Sequence, residues 1–251
     1  ARGGLEPGAA RAQDNADIPE AIRRAMSTAG IHAKRVAVAL PPEDVLLRAF
    51  TIPAIPRAEL DGAVQFEARK YLPFKLNELI WNYQVSPRPD KQITVIFAAV
   101  ERAALLRVRD WIQGAGLAPV SIEPYSVSLA RAVQMPRQGR APQVVAAVDM
   151  SEDAAHIVLM RDGLVYLARD VHFNHAEGSG AEAGSRPGSD PRAERLLSEL
   201  RLSMEFFARE FAGTSFERVV LFGDSSLVKR WSGTFATHLG CPVEPGILPG
   251  G

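Results

Sequence analysis

The stretch VVAAVDMSEDAAHIVLMRDGLVYLARDV, residues 144–171, decides the fold. It carries three apolar runs: QVVAAVDM (143–150), AHIVLM (155–160) and LVYLARDV (164–171). They are rich in the β-branched and aromatic residues that suit a pleated, half-buried surface. Arg161-Asp162-Gly163 separates the last two runs and predicts a tight turn, because a short hairpin loop needs positive φ and Asp and Gly tolerate it. Three consecutive meandering strands follow. Downstream, Leu196, Leu197, Leu200, Met204, Phe207 and Phe211 form one apolar stripe of a long helix, and such a stripe reads as core. RVVLFG (218–223) reads as a strand, SSLVKRWSGTFATHLG (225–240) as a helix and CPVEP (241–245) as a terminal strand.

Working upstream, Asp17 is placed to cap IPEAIRRAMSTAG (18–30), with Glu20 three residues on and Gly30 as the stop. RVAVAL (35–40) and LLRAFTI (46–52) read as strands joined by a Pro41-Pro42 turn. A helix runs from Arg57 to about Lys70, with Leu60, Val64, Ala68 and Tyr71 on one face. It meets Leu72-Pro73-Phe74, where proline lacks the helical N–H and pushes its predecessor out of the helical basin. LIWNYQV (79–85) and QITVIFAAV (92–100) read as a hairpin, ERAALLRVRDWIQGAG (101–116) as a helix, APVSIEP (118–124) as a strand and YSVSLARAV (125–133) as a helix. The order predicts an α/β chain in which a mixed sheet packed by helices is made twice. PRQGRAP (136–142) is the expected boundary, dividing a first unit at 1–135 from a second at 143–251. Residues 172–192 are rich in Gly, Ser, Ala and Pro and read as a mobile loop.

Composition closes several routes. Among 251 residues, 29 Lys plus Arg balance 29 Asp plus Glu, and the basic residues are scattered, which argues against a nucleic-acid footprint. The single cysteine, Cys241, builds neither a disulfide framework nor a cysteine zinc site within the chain, and reads as a small buried hydrophobe. His172 and His175 sit in the Gly/Ser-rich segment and read as solvated. No run approaches the roughly 20 apolar residues of a membrane span. No signal-peptide pattern opens the chain, so a cytoplasmic setting without direct membrane insertion is expected. GSGAEAG (178–184) is no phosphate loop, since no Lys-Ser/Thr step follows it. Glu67 and Glu78 fall on polar helical or turn positions and form no acid/base pair.

Three antiparallel strands followed by helix, strand and helix resemble the second lobe of the actin-like (ribonuclease H-like) fold. LLRAFTIPAIPRAELDGAVQFEARKYLPFKLNELIWNYQV (46–85) resembles the most characteristic block of the PilM family of type IV pilus assembly proteins. Ile122-Glu123-Pro124, residues 144–171, ELRLSMEFFARE (199–210) and RVVLFGDSSLV (218–228) are similar to its remaining segments. The resemblance implies a two-lobed fold with a small inserted subdomain at about 35–120. No strand pair precedes Ala16, so the first lobe's N-terminal hairpin is missing from the expected pattern.

In that family's fold, one Asp-X-Gly hairpin per lobe holds phosphates through backbone amides. The second one corresponds to Asp149-Met150-Ser151, with Ser in place of Gly. Adjacent glycines near the adenine correspond to Gly223-Asp224, followed by Ser225; Asp224 would bring a carboxylate towards a polyphosphate. The resemblance thus implies a degenerate nucleotide site, with ATP and magnesium held weakly and without useful hydrolysis. It also implies an adaptor that binds the N-terminal cytoplasmic peptide of a PilN-like inner-membrane protein, with a pilus motor ATPase as a further partner. The peptide groove lies between the first lobe and the inserted subdomain, and Tyr71, Leu72, Phe74 and Trp81 are the expected contacts. The alternatives are the cytoplasmic domain of a GspL-like type II secretion protein and an active actin-fold ATPase.

Overall fold

The computed structural model describes residues 17–72, 75–134, 144–173, 190–211 and 215–247. The expected boundary at 136–142 and most of the expected loop, 174–189, lie outside these residues. So do Pro73, Phe74 and His175.

The elements run α1 (Ile18–Thr28), β1 (Arg35–Leu40), β2 (Val45–Pro53), α2 (Arg57–Ala68), β3 (Leu79–Pro87), β4 (Gln92–Glu101), α3 (Arg102–Gly114), β5 (Ala118–Pro124) and α4 (Tyr125–Gln134). Then come β6 (Val144–Met150), β7 (Ala154–Arg161), β8 (Leu164–His172), α5 (Pro191–Glu210), β9 (Arg218–Gly223), α6 (Ser225–Leu239) and β10 (Val243–Pro245). Both ends of the segment read as a loop are therefore ordered, since β8 reaches His172 and α5 starts at Pro191. The Pro41-Pro42 step opens a 3-10 turn, Pro42–Asp44.

The second lobe is a five-stranded sheet of order β10-β9-β6-β7-β8. β6, β7 and β8 are antiparallel, whereas β9 and β10 run parallel to β6 and to each other. This is the arrangement the actin-like reading expects. The turn at Arg161-Asp162-Gly163 takes φ of 52° at Asp162 and 78° at Gly163, as a short hairpin demands. α5 and α6 cover one face through Leu196, Leu200, Phe207, Trp231 and Phe235, and α4 covers the other through Leu129, Ala130 and Val133.

The first lobe pairs β1 with β5 in parallel, backed by α3 through Val38, Leu40, Val108 and Trp111. Asp17 stands at the N-cap of α1 but its side chain makes no capping bond; Glu20 instead binds Arg23 and Arg24. The inserted unit is an antiparallel sheet of order β2-β4-β3 with α2 on one face. Val64 and Ala68 of α2 are buried there, and Tyr71 stacks on Phe50 at 5.7 Å. The other face of that sheet meets the second lobe, where Leu47, Ala49 and Ile96 join the second-lobe core. Arg88, from the β3–β4 hairpin, donates to the Glu210 carbonyl at the end of α5.

Phe207 is fully buried, and its ring lies 5.4–5.5 Å from those of Tyr166, Phe211 and Phe216. Phe207→Ala is expected to cost about 3–5 kcal/mol of stability, as for aromatic truncation in a packed core. A urea denaturation series against the parent chain checks this.

Candidate functional site

The chain ends of β6 and β9 lie side by side, with Met150 opposite Gly223 and Asp149 opposite Phe222. The fold thus gathers Asp149, Ser151, Gly223, Asp224 and Ser225 at one edge, the carboxyl end of parallel strands where α/β sheets take ligands. Each group there already has a structural task. Ser151 closes the β6–β7 hairpin: its N–H donates to the Ala154 carbonyl at 2.8 Å, its hydroxyl donates to the same oxygen at 2.9 Å, and it accepts from Ala154 N–H at 3.1 Å. Asp224 caps α6, accepting from the N–H groups of Ser226 at 2.7 Å and Leu227 at 3.3 Å, and Ser225 is the first helical residue. Gly223 sits at φ 116°, and a Cβ there would lie 2.0 Å from the Met150 carbonyl oxygen. The approach of β6 to β9 is reason enough for glycine.

Asp149 accepts a hydrogen bond from the hydroxyl of Tyr125, the first residue of α4. Burial, then the Asp149 carboxylate, pushes the Tyr125 hydroxyl well above the usual phenol range. Opposite Asp149 on β7 stands His156, 7% exposed. Its Nδ1 lies 2.7 Å from Asp170 Oδ1, and its ring centre lies 5.6 Å from that of Tyr125. Among the described residues no group of three potential metal ligands converges. Cys241 is partly buried against the second-lobe core, and burial raises its thiol above the usual range.

A second concavity, of about 280 Å³, separates the inserted sheet from α3. Its apolar wall includes Leu46, Leu72, Leu79, Ala99, Val100 and Ala104; among the described residues its rim carries Glu43, Asp44 and Glu101 against one cation, Arg107. Of the expected partner contacts, Leu72 lines this groove. Tyr71 lies on Phe50, and Trp81 stacks between Tyr83 and Phe97 inside the inserted subdomain. Phe74 lies outside the described residues. The acidic rim was not anticipated, since its members sit on separate elements and only the fold unites them.

The family model for the type IV pilus assembly protein PilM matches residues 6–178, more than half of the chain. The chain belongs to the PilM family. No curated protein matches it by sequence. Among solved structures, the PilM–PilN type IV pilus biogenesis complex superposes with a TM-score of 0.75 at 22% identity, over 96% of this chain and 78% of that one. The cytoplasmic domain of EpsL, an inner membrane component of the type II secretion system of Vibrio cholerae, gives 0.52 at 14% identity, over 82% and 68%. At such identities these likenesses speak for the fold, which is the two-lobed actin-like one of a PilM protein. No described helix is long and apolar enough to cross a membrane.

Two substitutions separate structural from ligand roles at the strand ends. Gly223→Ala is expected to destabilise the ligand-free protein by about 1–3 kcal/mol or more, through overpacking against Met150. Asp224→Ala is expected to cost about 1 kcal/mol, the loss of a helix cap. Thermal and urea unfolding without nucleotide measures both.

Proposed function

We propose that this PilM-family chain is a non-catalytic adaptor of type IV pilus assembly, and that the groove between α3 and the inserted sheet receives the N-terminal cytoplasmic segment of a PilN-like inner-membrane protein. The observation that carries the reading is the groove itself: an aliphatic wall under a rim of Glu43, Asp44 and Glu101, offset among the described residues by Arg107 alone. Such a site suits a short peptide that presents aliphatic side chains together with Lys or Arg. The PilM relative of similar fold was solved as a complex with PilN, which supports the choice of partner. On this reading the chain lies in the cytoplasm and reaches the inner membrane through its partner. A pilus motor ATPase would be a second partner, held elsewhere on the surface.

The same proposal assigns ATP and magnesium a weak hold at most. Ser151 N–H, the amide expected to face a phosphate, is engaged by the Ala154 carbonyl. The positive end of α6 is covered by the Asp224 carboxylate. Asp149, the aspartate of the β6–β7 hairpin, is held by Tyr125.

Calorimetry tests both parts. A synthetic peptide copying the partner's N-terminal segment is expected to bind the parent chain. Glu101→Lys and Asp44→Lys are each expected to weaken it about tenfold, or about 1.4 kcal/mol, and Leu72→Asp to weaken it further. Unchanged affinity in all three would remove the groove. In the second titration magnesium-ATP is expected to give no tight binding and no phosphate release; turnover would overturn the non-catalytic reading.

A further inference from the structure

One edge of the inserted sheet has no strand beside it among the described residues. β2, on one side, is seated on the second lobe through Leu47 and Ala49; β3, on the other, has β4 as its only strand neighbour among those residues. Arg88 N–H donates to the Gln92 carbonyl at 3.0 Å, so those two form a hydrogen-bonded pair. Alternation along an antiparallel ladder then makes Ser86 with Thr94, Gln84 with Ile96 and Asn82 with Ala98 the next such pairs. The N–H and C=O groups of Trp81, Tyr83 and Val85 therefore point away from β4. One of them, Tyr83 N–H, is closed by its neighbour, since Asn82 Oδ1 accepts from it at 2.8 Å.

Free edges template pairing with another chain, and proteins ordinarily guard them with a charged side chain, a proline or a bulge. β3 reads LIWNYQVSP over Leu79–Pro87, nine residues without a charge, and its proline is the last of them. Its register with β4 is unbroken, so no bulge turns the edge aside. The edge opens into a concavity of about 920 Å³ that reaches both faces of the sheet. Leu60, Tyr83 and Ile93 border it on the α2 side, and Asn82, Gln84 and the second-lobe residue Leu164 on the other. Among the described residues its charged lining is one residue of each sign, Arg57 and Asp61, and Asp61 accepts from the Tyr83 hydroxyl. None of its residues lines the acidic groove, so filling one leaves the other open.

We infer that this edge pairs with its own image in a second copy of the chain, β3 antiparallel to β3, to make one continuous six-stranded sheet. The edge is complementary to itself about Tyr83. With Tyr83 opposite Tyr83 of the other copy, Trp81 stands opposite Val85, an aromatic against a β-branched side chain, and each such pair occurs twice. Asn82 stands opposite Gln84, so two amides exchange hydrogen bonds once Asn82 releases the Tyr83 N–H. The same register brings Glu78 to the level of Arg88 of the other copy just beyond the strand ends, opposite charges at both. The balance of Arg57 and Asp61 neither repels an identical surface nor selects a basic or an acidic peptide. Two-fold symmetry closes the contact at a dimer. One strand pair buries less than the roughly 1,600 Å² of a standard stable interface, so the dimer is weak.

Sedimentation equilibrium of the whole chain across the micromolar range is expected to show a monomer–dimer equilibrium. Val85→Lys, at an exposed position whose backbone does not serve β4, is expected to weaken the dimer at least about tenfold with the circular dichroism spectrum unchanged. Register is read by cross-linking. With Cys241→Ser in every chain, Asn82→Cys and Gln84→Cys chains are mixed under oxidising conditions. Cα atoms of a non-hydrogen-bonded pair lie about 4.5 Å apart, within disulfide reach, so the mixed disulfide is expected to exceed either self-linked product severalfold. A chain monomeric at every concentration, a dimer indifferent to Val85→Lys, or a mixed product no greater than the self-linked ones overturns the inference. So does a monomer whose Trp81 and Val85 amides gain exchange protection only when the partner's peptide is added, which assigns the edge to a foreign strand. Peptide binding in the acidic groove is measured on the Val85→Lys chain as well, so failure here leaves the adaptor reading standing on its own test.

Discussion

The constraint on which the molecule depends is that the inserted sheet is buried on both faces. Along β2 and β4, side chains alternate. Phe50, Ile52, Val95 and Phe97 turn towards α2, while Leu47, Ala49 and Ile96 turn towards the second lobe. Register couples the two sets, since Ala49 lies opposite Ile96 and Phe50 opposite Val95. A slip by one residue would exchange the faces and expose both cores at once. The inserted unit therefore packs against the second lobe as well as against its own helix, and Arg88 adds a polar tie to the end of α5.

Two concavities follow from that seating. β2 is an edge strand of its sheet, and the 3-10 turn that precedes it forms a wall between them. On one side the wall meets α3 and leaves an apolar groove with an acidic rim; on the other it meets α4 and β8 and leaves a polar pocket around His156. Val45 and Leu46 line both concavities, so the same two residues separate them.

At the strand ends, residues that a nucleotide-binding pattern singles out serve the ligand-free fold. Gly223 allows β9 to approach Met150, Asp224 caps α6, and Ser151 closes a hairpin. Their side chains are explained by packing and capping before any ligand is considered. Motif and backbone requirement coincide at these positions, which is why the motif alone cannot decide what is bound.

The sequence by itself determined the elements and their order, because period, turn chemistry and helix stops are local. The stripe from Leu196 to Phe211, the Asp162-Gly163 turn and the strand-rich block at 144–171 all read correctly from neighbours in the chain. It also determined the family, through the block at 46–85 and its neighbours. Only the tertiary structure decided the sites. Glu43, Asp44, Leu72, Glu101 and Arg107 meet from three elements and the segment that follows α2, and no spacing announces it. The pairing of His156 with Asp170 is the clearest case. Counting back from the tight turn places Arg169 opposite His156. An irregularity between Leu159 and Met160 shifts the register by one and brings Asp170 there instead. A β-bulge is set by packing on both faces of the sheet, so the charge beside that imidazole is a property of the folded chain.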